Sequence, residues 1–464
     1  MFFQKMKTIS KLFVILVMFI VLLLILVFKN MLEYKANLMS NWTGNAERVF
    51  DTIYKPSTIR ELESIMKDLP PSTEVIISGG GHSWSPSMYI DGTNTINSNI
   101  TPVCLSLIDF KGDISYDENT SLVTCLAGTP MGELLHFLGT HKRSLATYPN
   151  SPYITIGGAV ATCSHGASLK AGTISGLVTD MYYILPGYTE CRRVPQHLLG
   201  AYACSLGRLG VVSKLTLNTI PISWLKQNNS FIERKLFLQN MMETIDKSDF
   251  LRVYWKPITD ICTMEQIVRI NNTENDVISL FDCKIKNHFM VWQSQELLYG
   301  INYSPELDTQ FGLSYPNVSL ENTTGYGMCQ KQTESPKAIP AYAELEEVVS
   351  VENLHIALNT INMWIHEYNP SILGDVFVRF TSYDTLPWIS PLNGSSNFYA
   401  WVIVDMDIRD PNYFSHLDIL EKALWTKARA RPHMGKWNNV DNKTLIEMYG
   451  NNGLKFIELS KNIQ

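Results

Sequence analysis

Val75-Ile76-Ile77-Ser78-Gly79-Gly80-Gly81-His82-Ser83 is the stretch on which the reading of this chain turns. A short, β-branched apolar run stops at three glycines, and a histidine follows at once. The run reads as a buried strand ended by a turn. Glycines at the turn admit positive φ and let a ligand come close to the backbone. Successive amide groups in such a turn form a concave nest for an anion such as a pyrophosphate. His82 adds a titratable, nucleophilic ring at the lip. A tight strand-to-loop turn with a solvent-facing histidine fits these nine residues equally well, so the surroundings must decide.

Upstream, Thr58-Ile59-Arg60-Glu61 is a capping-box pattern. Ile59, Leu62, Ile65, Met66 and Leu69 recur at helical spacing before Pro70-Pro71 ends the segment. A helix therefore leads into a strand at 74–78. Downstream, Ser83-Trp84-Ser85-Pro86-Ser87 is a poor helix start. The strand–turn–helix order that a Gly-x-Gly-x-x-Gly dinucleotide site needs is missing, which excludes a Rossmann reading here.

A second glycine-rich segment follows at Ile154-Thr155-Ile156-Gly157-Gly158-Ala159-Val160-Ala161-Thr162-Cys163-Ser164-His165-Gly166. A dozen small side chains imply close backbone approach, either to a flat, bulky ligand or to a tightly packed neighbouring strand. Short strands are expected at Val103–Ile108 and Ser121–Cys125, a helix near Gly132–His141, and a strong strand at Leu209–Leu217. Pro221 marks a domain boundary. Beyond it, Val376–Thr381 and Tyr399–Met406 read as strands, Leu417–Ala428 as a helix, and Asn317–Pro340 as a surface loop. Arg429-Ala430-Arg431-Pro432-His433-Met434-Gly435-Lys436-Trp437 closes the set with a polar cluster.

The 464 residues suffice for two or three domains. With a net charge of −6 and no basic block in the body, the chain carries no electrostatic footprint for nucleic acid. Leu12–Phe28 is an uncharged apolar run preceded by Lys5, Lys7 and Lys11 and followed by Lys29. No small-residue cleavage site follows Phe28. The run reads as an uncleaved membrane anchor rather than a signal peptide. The basic flank puts residues 1–11 in the cytoplasm and the catalytic body in the lumen of the endoplasmic reticulum or another secretory membrane. Residues 29–50 then form a stem. Sequons at Asn41, Asn99, Asn119, Asn228, Asn271, Asn302, Asn317, Asn322, Asn393 and Asn442 fit a glycosylated lumenal chain. The eight cysteines are scattered without a Cys-x-x-Cys, so no metal site is expected, while disulfides fit that compartment.

Two glycine segments, each ending in a histidine, suggest one large cofactor held from two sides. At this point the chain resembles a known family. Gly79-Gly80-Gly81-His82-Ser83, Ile156-Gly157-Gly158 with Ser164-His165-Gly166, and Leu209-Gly210-Val211-Val212 are similar to the vanillyl-alcohol-oxidase (PCMH-type) FAD-binding domain. Arg431-Pro432-His433-Met434-Gly435-Lys436 resembles the Arg-Pro-His-Trp-Ala/Gly-Lys signature of the L-gulonolactone and other sugar-1,4-lactone oxidases. The resemblance implies an α+β fold: a two-subdomain FAD-binding domain over 51–221 and an α+β cap (substrate) and C-terminal domain over 222–464, behind the helix at 12–28. It implies that Gly79, Gly80, Gly81 and Ser83 lie along the pyrophosphate, and that His82 is bonded covalently to the flavin. Gly157, Gly158, Ala159, Ser164, His165 and Gly166 would line the flavin and its ribityl chain, and Val211 and Val212 the adenine end. It further implies oxidation of the carbon-2 hydroxyl of a sugar lactone, with oxygen as acceptor. Arg379 and Lys436 would stabilise developing negative charge, with His433 beside them.

The chain departs from the family pattern at three places. Phe377 stands where the family has a glutamate two residues before Arg379; Asp375, two positions back on the same face, is a candidate substitute. Met434 replaces the signature tryptophan. Cys163-Ser164-His165 replaces Gly-Thr-His. Two alternatives stay open at this stage: a flavoprotein of the same fold with another substrate, such as a sterol-reductase-like one, and a non-catalytic glycosylated protein of that fold.

Overall fold

The period-2 pattern of the second half of the chain builds one large sheet with two unlike faces. The computed structural model describes residues 38–41, 47–85, 102–149, 151–270, 320–323 and 342–463. Eight strands lie in the order Leu320–Thr323, Trp224–Glu233, Ile261–Ile270, Phe250–Lys256, Val376–Ser382, Phe398–Asp407, Tyr342–Ser350 and Arg431–Pro432, with antiparallel pairing throughout. Alternate residues Val253, Trp255, Val376, Val378, Phe380, Val402, Val404, Ala343 and Leu345 turn to one face and form a core. Helices Arg234–Asp246, Leu354–Tyr368 and Tyr413–Ala428 cover that face with Phe237, Ile245, Leu358, Ile361, Leu420 and Leu424. The opposite face is polar. It carries Glu344 and Glu346, Arg252 and Tyr254, Phe377 and Arg379, and Trp401 and Asp405. This alternation follows from the pleat.

The first half of the chain forms, besides two two-stranded pairings, a three-stranded and a five-stranded sheet. Ile53–Tyr54, Val103–Ser106 and Val75–Ser78 pair in parallel. Arg192–Arg193, Val178–Ile184, Val211–Asn218, Leu122–Leu126 and Ser115–Asp117 form an antiparallel sheet of five. Helix Ile59–Asp68 buries Leu62 and Met66 and crosses from Ile53–Tyr54 to Val75–Ser78, as the helical spacing predicts. Its cap forms with one shift. The Thr58 hydroxyl accepts from the Glu61 amide, but the Glu61 carboxylate takes up the amide of Ser57 rather than that of Thr58. The helix at Met131–Thr140 packs into the same core. So do the last two helices, Asn442–Tyr449 and Asn451–Ile463, through Leu445, Tyr449, Phe456 and Ile457. The chain thus returns to the first core after building the second.

Two clamps hold the polar face of the large sheet against the first half. Asp384 accepts from the Thr173 amide (2.9 Å), the Thr173 hydroxyl (2.6 Å) and Ser390 (2.6 Å). His165 stacks on Trp401, with ring centroids 3.7 Å apart and planes 13° apart.

Several sequence expectations change. The six described cysteines, Cys104, Cys125, Cys163, Cys191, Cys204 and Cys262, are free thiols, and all but Cys191 are buried, so the disulfide expectation fails for them. Of the sequons, Asn41 is 3% exposed and donates to the Ser83 carbonyl, leaving no room for a glycan. Asn393 spends its amide on the Pro387 and Trp388 carbonyls. The segment read as a stem carries a hairpin, Leu38–Ser40 with Glu47–Val49, and Phe50 is buried. The expected loop at 317–340 contains the strand Leu320–Thr323. The second glycine segment is neither loop nor strand but includes a short helix, Ile156–Ala161. The apolar run Leu12–Phe28 lies outside the described residues. Among those described, no helix is long and apolar enough to cross a membrane.

Candidate active site

The glycine turn is built by backbone contact. A Cβ on Gly79 would lie 2.1 Å from the Thr155 hydroxyl, and one on Gly80 would lie 2.4 Å from the Tyr153 carbonyl oxygen. Gly81 alone of the three takes a positive φ, +70°. The amide groups of Gly79, Gly80 and Gly81 find no acceptor among the described residues. Three successive half-buried donors without acceptors are what a pyrophosphate requires, so this turn fits the FAD that the sequence implies. The amides of the second segment are already used. Gly157 donates to the Ala127 carbonyl (2.7 Å) and Gly158 to the Thr155 hydroxyl (3.4 Å). Gly157 is needed chiefly because a Cβ would fall 2.8 Å from that of Ala127.

The loop carrying Lys436 closes on the same turn. Ser83 Oγ and the Trp84 amide both donate to the Gly435 carbonyl, at 3.1 and 2.9 Å, across more than 350 residues of sequence. Gly435 passes Thr162 so closely that a Cβ would meet it at 3.1 Å. Three distant motifs, 79–85, 162–166 and 433–436, therefore share one cluster. Burial, then the nearby Lys436 charge, push His82 down to about 4, so its ring is neutral at neutral pH.

The acidic ladder of strand Tyr342–Ser350 organises the cations. Lys436 Nζ sits 2.6 Å from Glu344 and 3.8 Å from Glu346, and 4.0 Å above the Trp84 ring. His165 has an acceptor at each ring nitrogen: Nδ1 is 2.8 Å from the Gly166 carbonyl and Nε2 is 2.8 Å from Glu346 Oε1. One proton must therefore lie between Nε2 and the carboxylate. Burial alone would raise Glu346, but His165 facing it, then His433 and Lys436, hold its carboxyl well below the usual range. Burial pushes His433 down to about 3 against the pull of Glu346, with Lys436 adding to the effect. Its Nδ1 accepts from the Gly435 amide, as a neutral ring should. His165, Glu346 and His433 offer donor atoms within 4.8 Å of one another, the geometry of a metal site. The shared His165–Glu346 hydrogen bond already occupies two of those donors.

Arg379 lies on the neighbouring polar row. Its guanidinium carbon is 4.6 Å above the Phe377 ring, and Phe377 in turn stacks on Tyr254 at 4.4 Å and 7°. Nε of Arg379 is buried without a partner. Arg252, opposite Arg379 in register, is matched by Glu265 at 2.7 Å. Among the described residues, Arg379 thus remains the uncompensated cation of this row.

Of the residues expected from sequence, Gly79, Gly80, Gly81, His82, Ser83, Ser164, His165, Gly166, His433 and Lys436 lie in or beside this cluster. Ala159 is buried and packs in the first core, and so is Val211, with Val212 half-buried against it. The side chain of Val211 is therefore a core side chain rather than a ligand contact. Asp375 stands one residue ahead of its strand, where its charge acts on Cys262 of the helix-side core. Glu344, Glu346, Trp84, Tyr254 and Trp401 escaped the sequence reading. The signal for the two glutamates was available: they alternate with Ala343 and Leu345 in a run, Ala343–Val349, that is buried from end to end although it also holds Glu347.

Comparison with known proteins adds the following. Residues 215–463 match the family described as D-arabinono-1,4-lactone oxidase, and residues 50–189 match the FAD binding domain. An L-gulono-1,4-lactone dehydrogenase of Mycobacterium tuberculosis is 22% identical over 89% of this chain and 92% of its own length. L-gulonolactone oxidase of Bos taurus is 23% identical over 90% of this chain and 92% of its own. Among solved structures, cholesterol oxidase from Brevibacterium sterolicum superposes with a TM-score of 0.65 over 86% of both chains at 16% identity, a likeness of fold.

Proposed function

Because the chain belongs to the D-arabinono-1,4-lactone oxidase family, we propose that it is an FAD-dependent oxidoreductase that oxidises the carbon-2 hydroxyl of an aldono-1,4-lactone, with oxygen as acceptor. When bound, FAD supplies a ring that accepts a hydride. The rest falls to side chains of this chain. The observation that carries the reading is the half-buried Arg379, a cation with no carboxylate partner among the described residues, on the same polar face that presents Lys436 to the glycine turn. A preorganised cation stabilises an oxygen on which negative charge develops, at no cost of reorganisation. Lys436, fixed by Glu344, adds a second positive charge close to His82. Phe377 and Tyr254 give this face a dry wall, which strengthens both effects.

His82 is the proposed covalent anchor. A neutral imidazole is the nucleophilic form of the ring, and its place one residue after the amide nest supports the assignment. The free amides of Gly79–Gly81 would hold the pyrophosphate. The same reading makes Leu12–Phe28 a single-pass anchor of a secretory-pathway membrane with the catalytic body in the lumen, supported by the apolar run and its lysine flanks. Resistance of the full chain to alkaline carbonate extraction, lost on deleting residues 1–30, tests that part.

For the activity, the purified flavin-loaded protein is mixed anaerobically with L-gulono-1,4-lactone and other aldonolactones. Loss of the flavin absorbance band is the expected result. A loaded sample that no aldonolactone or polyol bleaches would overturn the reading. Colour that stays with the polypeptide after acid precipitation supports the His82 bond; colour that washes out removes it.

A further inference from the structure

One acid on the polar face of the sheet has no assigned task. Asp405 stands directly opposite Glu344 on strand Phe398–Asp407, on the same side as Trp401 and Ile403. Other acids of this face are committed: Glu344 to Lys436, Glu346 to His165, and, further across the sheet, Glu265 to Arg252. Asp405 makes no ion pair among the described residues, and its Oδ1 is buried and accepts no hydrogen bond. Buried polar atoms in folded proteins are nearly always satisfied, so an exception needs a reason. Burial and the Glu344 charge hold Asp405 well above the usual carboxylate range. Burial thus favours the protonated carboxyl, the form that can both donate and accept without placing another negative charge beside Glu344.

Its counterpart is Arg379. The orphaned Nε of Arg379 belongs to the row of Trp401, and Asp405 lies four residues further along that strand. At about 3.3 Å per residue, the two rows are roughly 13 Å apart at the backbone. Between them lie Phe377 and Ile403, a facing cross-strand pair. An orphaned donor and an orphaned acceptor thus bracket an apolar strip. A sugar lactone has that pattern: an electron-rich ring oxygen system at one end, a hydroxylated tail at the other, and C–H edges between.

We propose that Asp405 is a specificity residue that hydrogen-bonds a hydroxyl on the substrate tail, remote from the carbon oxidised, and so selects aldonolactones bearing a hydroxylated side chain. The inference rests on the lactone-oxidising reading above. It uses one feature that reading does not, the unsatisfied carboxyl of Asp405.

The test compares L-gulono-1,4-lactone with tailless 2-hydroxy-γ-butyrolactone in anaerobic flavin reduction. A site built to hydrogen-bond a hydroxyl discriminates strongly against the ligand that lacks it. In Asp405→Leu the ratio of kcat/KM for the two lactones should fall at least tenfold, chiefly through KM for the gulonolactone, with Asp405→Asn intermediate. Calorimetric titration with a 2-deoxy aldonolactone, which keeps the tail but lacks the reacting hydroxyl, should show the same weakening without turnover. Flavin content and melting temperature establish that each variant is folded; if Asp405→Leu does not fold, Asp405→Asn alone decides. An unchanged ratio and unchanged binding in a folded variant would overturn the proposal while leaving the lactone-oxidase reading standing. A wild-type protein that neither lactone reduces would remove both.

Discussion

The guanidinium of Arg379 lies 4.6 Å above the ring of Phe377, two residues before it on the same strand face. A carboxylate at position 377 would instead reach that guanidinium and neutralise it. Phe377 leaves Arg379 without a carboxylate partner among the described residues, at the cost of the acid that members of the resembling family place there. Introducing that acid tests which matters more. Phe377→Glu should raise the rate of flavin reduction by L-gulono-1,4-lactone, because the added acceptor can orient the reacting hydroxyl. A rate that falls would mean that the free Arg379 charge outweighs it.

Removing the cation gives a larger effect. Arg379→Met keeps the length of the side chain but deletes the charge. Loss of one preorganised donor to a developing oxyanion costs about 10²–10³ in kcat. That fall should appear in stopped-flow reduction while flavin content stays near that of the wild type. A Met variant with full rate would remove Arg379 from the chemistry.

The limits of the sequence show at these same residues. Arg379, Lys436, His433 and the His82 turn could be found because motifs carry them. The strand at Val376–Ser382 and the helix before the glycine turn were legible too, since each is amphipathic with a clear period. The partners were not. Glu344 meets Lys436 across 92 residues and His165 meets Glu346 across 181. No local pattern encodes a pairing that depends on how one sheet docks on another. The cysteines illustrate the reverse case: even numbers invited disulfides, but pairing depends on geometry that spacing does not contain.

The His165–Glu346 pair makes a prediction about stability. Glu346→Gln can still donate an amide hydrogen to Nε2 while His165 Nδ1 donates to Gly166, so the variant should fold close to wild-type stability. Glu346→Leu leaves a buried ring nitrogen unpaired and should cost roughly 3–5 kcal/mol, the usual result of breaking a buried pair from one side. Urea unfolding of the two variants separates them. Equal losses in both would mean that charge, and not hydrogen bonding, holds the pair.

The depressed histidines set the pH dependence. His82 is held down to about 4 and His433 to about 3 by burial. In the unfolded chain both titrate near the usual 6.5. A group whose folded value lies below its unfolded one binds more protons when unfolded. The stability these rings contribute is therefore complete above about pH 6.5 and is lost as pH falls toward 4 and then 3. Melting temperature should decline across that window. His433→Gln, which can still accept from the Gly435 amide, should flatten the decline. An identical slope in that variant would show that His433 is already protonated in the folded protein.

The glycine turn offers the sharpest steric test. A methyl on Gly79 would come within 2.1 Å of the Thr155 hydroxyl, whereas one on exposed Gly158 meets the same oxygen at 3.0 Å and nothing else nearby. Overpacking of the first kind costs about 1–3 kcal/mol and shifts the backbone that it strikes. Because Gly79 heads the three free amides, that shift should also displace the nest. Gly79→Ala should therefore lose flavin content along with stability, while Gly158→Ala should keep its flavin and lose little. Serine at 155 would not relieve Gly79→Ala, because the obstructing atom is the hydroxyl oxygen that both residues carry; Thr155→Ala should. Recovery of flavin in the Gly79→Ala/Thr155→Ala double variant would tie the loss to that one contact. If flavin returns in neither combination, the glycine is needed for approach to the cofactor itself rather than to Thr155.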